Sequence, residues 1–306
     1  MKSMDSEIKK RDNIKNSLEK AHSLFRRYYT EQSRFKRFLH YPVKSVGRII
    51  AQRTGWRSTV PIATRTCWGK NIFVFLSDKN AGSLYYFGFL PKQEYPLSLY
   101  LTRTLKDDDV FYDVGANYGF YSVLADTLIK KGRVHVFEPH PLLAKCLRRS
   151  LVNGVCVNEV ALSNKIGEVT FYDKYSIGHS GGSTMIEEVG SNGEKAVSIR
   201  TVATTSLDEY VKTHTPPTVI KIDVEGAERF VLEGGRETLK KYHPLVAMEV
   251  WGGDFWEKYS RPAIDFLFQL GYVGNEIGNN GVSVSISYSD LERIMSTRKY
   301  ENIIFS

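Results

Sequence analysis

Four apolar runs each end on a carboxylate: VFYDV (110–114), VHVFEP (134–139), TVIKIDVEGAE (218–228) and LVAMEV (245–250). An acid in a buried strand is costly unless a partner or ligand meets it. The first run leads into the turn DVGANYG, where Gly115 and Gly119 flank Asn117 and Tyr118. Glycine lets backbone take positive φ and lets a ligand approach closely. A helix starting near Phe120 would aim its free N–H groups and positive end into that turn. Glu138 follows Gly115 by twenty-three residues, a spacing that suits a carboxylate accepting both ribose hydroxyls of a nucleoside. Asp113, Gly115, Asn117, Tyr118, Gly119, Glu138 and Pro139 thus describe a nucleoside crevice.

A dinucleotide would need G-x-G-x-x-G so that backbone reaches a pyrophosphate, but Asn117 stands at the middle glycine. Asp113 would repel a phosphate and suits the ammonium of an amino-acid-bearing nucleoside. That charge argument favours S-adenosylmethionine over NAD. Asp223 and Glu225, with Glu249 one strand on, lie where a reacting group would be presented. A carboxylate or histidine there can take the proton of an attacking hydroxyl, so Asp223, Glu225, Glu249 and His179 are the candidate catalytic residues. Asp223 is equally suited to holding the methionine portion of the cofactor. Glu225 and Glu228 also suit the first turn of a helix. A divalent cation between Asp223 and Glu249 ranks lower, and no metal-ligand cluster is expected. His179 lies in SIGHSGGSTMIEE (176–188), a Gly/Ser-rich loop able to close over an acceptor. His140 is placed beside the adenine, and Trp251, Phe255 and Trp256 offer an acceptor wall.

These groups require a scaffold, and the sequence supplies alternation. VFYDV precedes a helical FYSVLADTLIKK (120–131), VHVFEP precedes PLLAKCLRRSLVNG (141–154), and VCVNEVAL (155–162) follows. TVIKIDV leads to a helix over 225–242, and PLVAMEV to one near 255–272. Such alternation predicts an α/β protein with a doubly wound, mostly parallel sheet. VSVSISY (282–288) and ENIIFS (301–306) read as closing strands, with an antiparallel edge. Upstream, CWGKNIFVFLSD (67–78) and GSLYYFGF (82–89) read as strands and EYPLSLYLTRTL (94–105) as a helix.

Residues 1–61 form a basic helical N-terminal arm ahead of a domain spanning 62–306. Residues 1–65 carry 16 Lys/Arg against 5 Asp/Glu, or +11, so the rest of the chain holds 8 − 11 = −3. A slightly acidic body argues against a nucleic-acid binder. The arm is read as packing on the body or a second subunit, with a peripheral membrane contact as the sharper alternative. Three cysteines without Cys-x-x-Cys spacing exclude a disulfide framework and a zinc knuckle, and with no secretion signal in evidence the expected location is the cytoplasm.

DVGANYGFYS, FEPHP, VALSNKIGEVTFY (160–172), TTSLDEY (204–210), IKIDVEGAE and PLVAMEV together resemble the successive motifs of the FkbM family of S-adenosylmethionine-dependent methyltransferases. The resemblance spans about residues 66–250. It implies a Rossmann-like class I methyltransferase fold, S-adenosylmethionine as cofactor, Ala161 in the cofactor site, and O-methylation of a carbohydrate, glycolipid or natural-product hydroxyl. Two other readings stay open: an RNA ribose methyltransferase gripping phosphates with the basic arm, and a non-catalytic nucleoside-binding scaffold.

Overall fold

The computed structural model describes residues 2–29, 34–54, 60–151, 154–174, 178–191 and 198–306. Its centre is an eight-stranded sheet: β1 Val110–Val114, β2 Arg133–Phe137, β3 Val155–Asn158, β4 Val219–Ile222, β5 Leu245–Trp251, β6 Gly274–Ile277, β7 Ser283–Ser285 and β8 Tyr300–Phe305. The spatial order is β7-β6-β8-β5-β4-β1-β2-β3. Strands β1 to β5 run parallel, while β8 is antiparallel to both of its neighbours. Of the two expected closing strands, β7 forms the antiparallel edge and β8 is internal. In β8, residues Glu301–Phe305 are all buried, and so apolar a strand is best satisfied with a neighbour on each side. Strand order reverses between β1 and β4, which opens a crevice beyond their carboxyl ends.

Side-chain alternation splits the sheet into two faces. Val110, Tyr112, Val114, Ile220 and Ile222 join one core, with the helices Glu228–Glu233 and Arg261–Gln269. Phe111, Val134, Val136 and Ala247 join the other, with the helices Phe120–Leu128 and Pro141–Ser150. Asp113, Lys221 and Glu249 fall in the second register. Asp113 and Lys221 are direct neighbours across β1 and β4, and Glu249 is paired with Asn302 across β5 and β8. A polar seam therefore crosses the sheet at its ligand-binding end.

Two expected elements differ. GSLYYF is a helix, Gly82–Phe87, ended by Gly88 in the left-handed conformation with its N–H on the Leu84 carbonyl. Aromatic strand propensity yields to burial of Leu84, Tyr86 and Phe87 against the arm and its neighbours. The helix expected over 225–242 is two, Glu228–Glu233 and Arg236–Tyr242, interrupted at Gly234–Gly235.

The arm helix Lys2–Tyr28 buries Ile14, Leu18 and Ala21 in the same core as Phe111 and Leu124. Arg11 donates to the carbonyls of Thr102 and Leu105 at 2.7 and 2.6 Å. One core thus runs across the 61/62 boundary.

Candidate active site

The glycine turn has the backbone its sequence asked for. Gly115 and Gly119 take φ of +76° and +81°, and Asn117 also sits in the left-handed region at +54°. A Cβ on Gly115 would lie 1.9 Å from the Asp223 carbonyl oxygen, so only glycine lets the ends of β1 and β4 meet this closely. The Asp223 N–H donates to the Val114 carbonyl at 3.0 Å.

Glu138 is buried beside this turn. One carboxylate oxygen accepts the Asn117 N–H at 2.8 Å and the other the His140 N–H at 2.9 Å. Burial pushes its carboxyl up to about 7 despite those two donors. Each oxygen keeps a further lone pair for a ribose hydroxyl. Val114, Gly115, Asn117, Glu138, Pro139 and Ala161 line the crevice together with the covering loop 180–185. The residues fit an adenosyl group: an acid for the ribose, bare backbone at the turn, and Phe137, Leu162 and Phe171 as apolar walls.

A second cavity of about 760 Å³ adjoins the crevice. Both are lined by Gly115, Asn117, Gly181, Gly182, Asp223 and Glu225. Glu94, Glu249, Trp251 and Phe255 lie on the second cavity's wall, as do the arm's Phe25 and Tyr29 and the lysines Lys79, Lys92, Lys174 and Lys299. Trp251 and Phe255 make an edge-to-face pair at 5.2 Å. Trp256, expected beside them, is buried in the core instead.

Asp223, Glu225 and Glu249 converge at the junction, with one carboxylate oxygen from each inside 4.8 Å of the others. The nearness of these three acids was expected, whereas a grouping close enough to hold a cation ranked lower in the sequence reading. Asp223 accepts from the Lys221 ammonium at 2.9 Å, and Glu249 from the Trp251 indole at 2.7 Å. Glu225 accepts the Gly182 N–H at 2.9 Å, and its own carbonyl accepts the Thr184 hydroxyl at 2.8 Å. Burial first, then the charges of Asp223 and Glu228, lifts the Glu225 carboxyl to about 8. Burial and the same clustered acids hold Glu249 well above the usual carboxylate range. Glu225 stands in the turn before the helix at φ +55°, not in its first turn. Glu228 does open the helix, and its carboxylate accepts the Val224 and Gly226 N–H groups.

Among the other expected site residues, Asp113, His179 and His140 stand back from the walls, while Tyr118 lines the second cavity. Asp113 is fully buried behind the turn, where it accepts the Ser122 hydroxyl at 2.5 Å and lies 4.0 Å from the Lys221 ammonium. Its charge therefore acts through Lys221 rather than by contact with a ligand's ammonium. His179 lies 3.1 Å from the Lys79 ammonium and lines neither chamber. His140, expected beside the adenine, caps the helix Pro141–Ser150, approaches Asp173 at 3.3 Å and does not line the crevice. Tyr118 turns its hydroxyl onto Asp78 at 2.7 Å.

Three residues escaped sequence reading. Lys221 is the buried cation between Asp113 and Asp223, and these acids and Glu94 hold it protonated although burial opposes this. A lysine inside the apolar run VIKI was its signal. Glu94 accepts the Tyr121 hydroxyl at 2.5 Å, and burial raises its carboxyl. Asp78 receives Tyr118, the Asn80 N–H and the Ser180 N–H, which ties the covering loop to the glycine turn. Nothing local marks Asp78.

Comparison with known proteins finds relatives of this chain. The hexuronic acid methyltransferase AglP of Haloferax volcanii is 30% identical over 160 residues, 50% of this chain and 60% of that protein. The match thus spans less than two thirds of AglP. Two solved structures resemble the fold at low identity. A methyltransferase FkbM from Methylobacillus flagellatus gives a TM-score of 0.44 at 14% identity, covering 87% of this chain and 60% of that one. Aeropyrum pernix fibrillarin, with S-adenosyl-L-methionine natively bound, gives 0.40 at 11%, covering 83% and 85%. The family model of the methyltransferase FkbM domain matches residues 113–273, more than half of the chain, from the acid of β1 to the turn before β6. That span takes in Glu138, Asp223, Glu225 and Glu249, and the chain belongs to the FkbM methyltransferase family.

Proposed function

We propose that this methyltransferase moves a methyl group from S-adenosylmethionine to a hydroxyl of an anionic sugar. The observation that carries the reading is the shared wall of the two chambers: Gly115, Asn117, Asp223 and Glu225 border the nucleoside crevice and the neighbouring cleft alike. S-adenosylmethionine supplies an electrophilic methyl on a sulfonium with a neutral thioether as leaving group. The chain's residues then align and deprotonate. Glu138 takes the ribose hydroxyls. Asp223, fixed by Lys221, would hold the methionine ammonium. Glu225 accepts the acceptor's proton. A carboxyl lifted to about 8 is a stronger base than an ordinary glutamate once ionised, and its value lies close to working pH. Alignment of oxygen, methyl and sulfur contributes on the order of 7–11 kcal/mol of barrier lowering.

The acceptor class is supported by the cleft's charge layout. Its lining carries the acids Glu94, Asp223, Glu225 and Glu249, and Lys79, Lys92, Lys174 and Lys299 contribute cations. A sugar carboxylate satisfies the lysines while Trp251 offers its ring a stacking face. AglP, by its name, methylates a hexuronic acid. The test is methyl transfer to glucuronides and to matched neutral glucosides, with calorimetry of S-adenosylhomocysteine binding in parallel. Product from glucuronides with a mass gain of one methyl is expected. Binding of the nucleoside without transfer to either sugar would remove the acceptor reading alone, and no nucleoside binding would remove both. Running the assay with a chelator decides whether the three-acid cluster works with a cation.

A further inference from the structure

The helices Arg34–His40 and Pro42–Thr54 are turned inside out. In the second helix the buried residues are Ser45, Arg48 and Ala51, whereas Val43, Val46, Ile49 and Ile50 are exposed, Val43 by 84%. The first helix has no buried residue and leaves Phe35 exposed by 72% and Leu39 by 62%. A surface helix of a water-facing protein buries its apolar stripe, and so concentrated an exposed patch marks a contact surface.

Residues 34–54 hold six Lys/Arg and no Asp/Glu. Half of these cations face inward and fasten the segment. Arg48 donates to the Asp78 and Lys79 carbonyls at 2.8 and 3.0 Å, Lys44 to the Tyr85 carbonyl at 2.8 Å, and Arg37 lies 4.5 Å over the Tyr29 ring. The other three, Arg34, Lys36 and Arg53, are exposed among the apolar side chains, and Arg26 and Arg27 stand exposed on the arm. Apolar side chains interleaved with cations match the acyl–headgroup boundary of an anionic membrane. A symmetric pairing with a second copy would set these cations against one another with no acid in the patch to answer them. No helix among the described residues is long and apolar enough to cross a bilayer, so the contact would be peripheral.

We propose that residues 34–54 seat the enzyme on an anionic lipid surface with the acceptor cleft beside it. The link to the cleft is direct. Tyr29, under Arg37, and Lys79, whose carbonyl Arg48 holds, both line the cleft wall. A lipid-tethered acceptor would meet the cleft without leaving the membrane.

The full chain is sedimented with phosphatidylcholine vesicles and with mixed phosphatidylcholine–phosphatidylglycerol vesicles at low and high salt. Binding to the anionic vesicles that weakens with salt is expected. Arg34→Gln/Lys36→Gln should weaken partitioning about thirtyfold, from about fivefold per cation removed. Leu39→Ser/Val43→Ser/Ile50→Ser should lose it altogether while binding S-adenosylhomocysteine as the parent does. Failure of the parent chain to bind anionic vesicles at low salt overturns the proposal, as do variants that sediment like the parent. A dimer that the serine variant converts to monomer would overturn it in favour of a second copy on this face. None of these readouts depends on methyl transfer.

Discussion

Gly115→Ala, compared with Gly271→Ala, isolates what the close approach of β1 and β4 contributes. Both glycines take positive φ, +76° and +87°, so both alanines pay a left-handed cost of about 1–2 kcal/mol. At Gly271 nothing lies within 4 Å of the added Cβ, and that variant reads the backbone cost alone. At Gly115 the Cβ falls 1.9 Å from the Asp223 carbonyl oxygen and 2.9 Å from its carbon. An ordinary carbon–oxygen contact is about 3.3 Å, so the Asp223 backbone must retreat by roughly 1.4 Å. The obstacle is backbone, held by the Asp223–Val114 hydrogen bond, and cannot rotate aside. Overpacking of this kind adds about 1–3 kcal/mol. Thermal melts and calorimetry with S-adenosylhomocysteine should therefore show Gly271→Ala with a lowered Tm and parental Kd. Gly115→Ala should lose more Tm and bind more weakly, by about fivefold or more where the displaced Asp223 backbone no longer meets the ligand. A Gly115→Ala protein with Kd inside threefold of the parent refutes the junction as the cofactor's seat.

Further outcomes follow from the acids and their lysine. Glu138→Ala removes the acceptor of two backbone N–H groups and of the ribose, and calorimetry should show nucleoside affinity falling by about 10- to 100-fold, at about 1.5–3 kcal/mol for hydrogen bonds to a charged group. Glu225→Gln should reduce kcat by about 10²–10⁴ with little change in nucleoside Kd, and the parent's rate should rise with pH towards an inflection near 8; a flat profile from pH 6 to 9 would exclude Glu225 as base. The same raised carboxyls set the stability profile. Folded Glu225 keeps its proton between the ordinary carboxylate value and about 8 while the unfolded chain has lost it, so stability is greatest at the acid end of that window and is lost as pH rises through it. Chemical denaturation at pH 6 and pH 8.5 measures this, and Glu249→Gln should flatten the loss. Lys221→Met leaves Asp113 and Asp223 without their buried cation and should cost about 3–5 kcal/mol in the same assay, with Asp113→Asn restoring part of it.

The strand-end acids, the glycine turn and the helix after it were legible in sequence because their signals are local. An apolar run of five residues, all of them buried, specifies β1, and Gly115 and Gly119 mark the turn within six residues of Asp113. The parallel sheet was legible for the same reason, as each strand and helix carries its own period. What local period could not say is which strands become neighbours. Strand β8 inserts between β5 and β6, and this places Asn302 against Glu94 and Glu249. The seam of Asp113, Lys221 and Glu94 joins three distant stretches of chain, and only the meeting of β1 with β4 turns Lys221 from an odd residue in an apolar run into the counter-ion of two acids. His179 stands outside both chambers for the converse reason: its loop sequence suggested reach, but bonds from the same loop to Asp78 and Glu225 leave the histidine beside Lys79. The helix Pro42–Thr54 is the sharpest case. Its sequence shows basic and apolar residues interleaved, and which of its faces is buried was decided by the carbonyls of Asp78 and Lys79, which accept Arg48 and leave Val43, Val46 and Ile50 outward. Sequence determined the elements and the acids at their ends, through forces acting within a few residues. Tertiary structure decided the partners of each charge and the face each helix buries, because both depend on groups that meet only when the chain is folded.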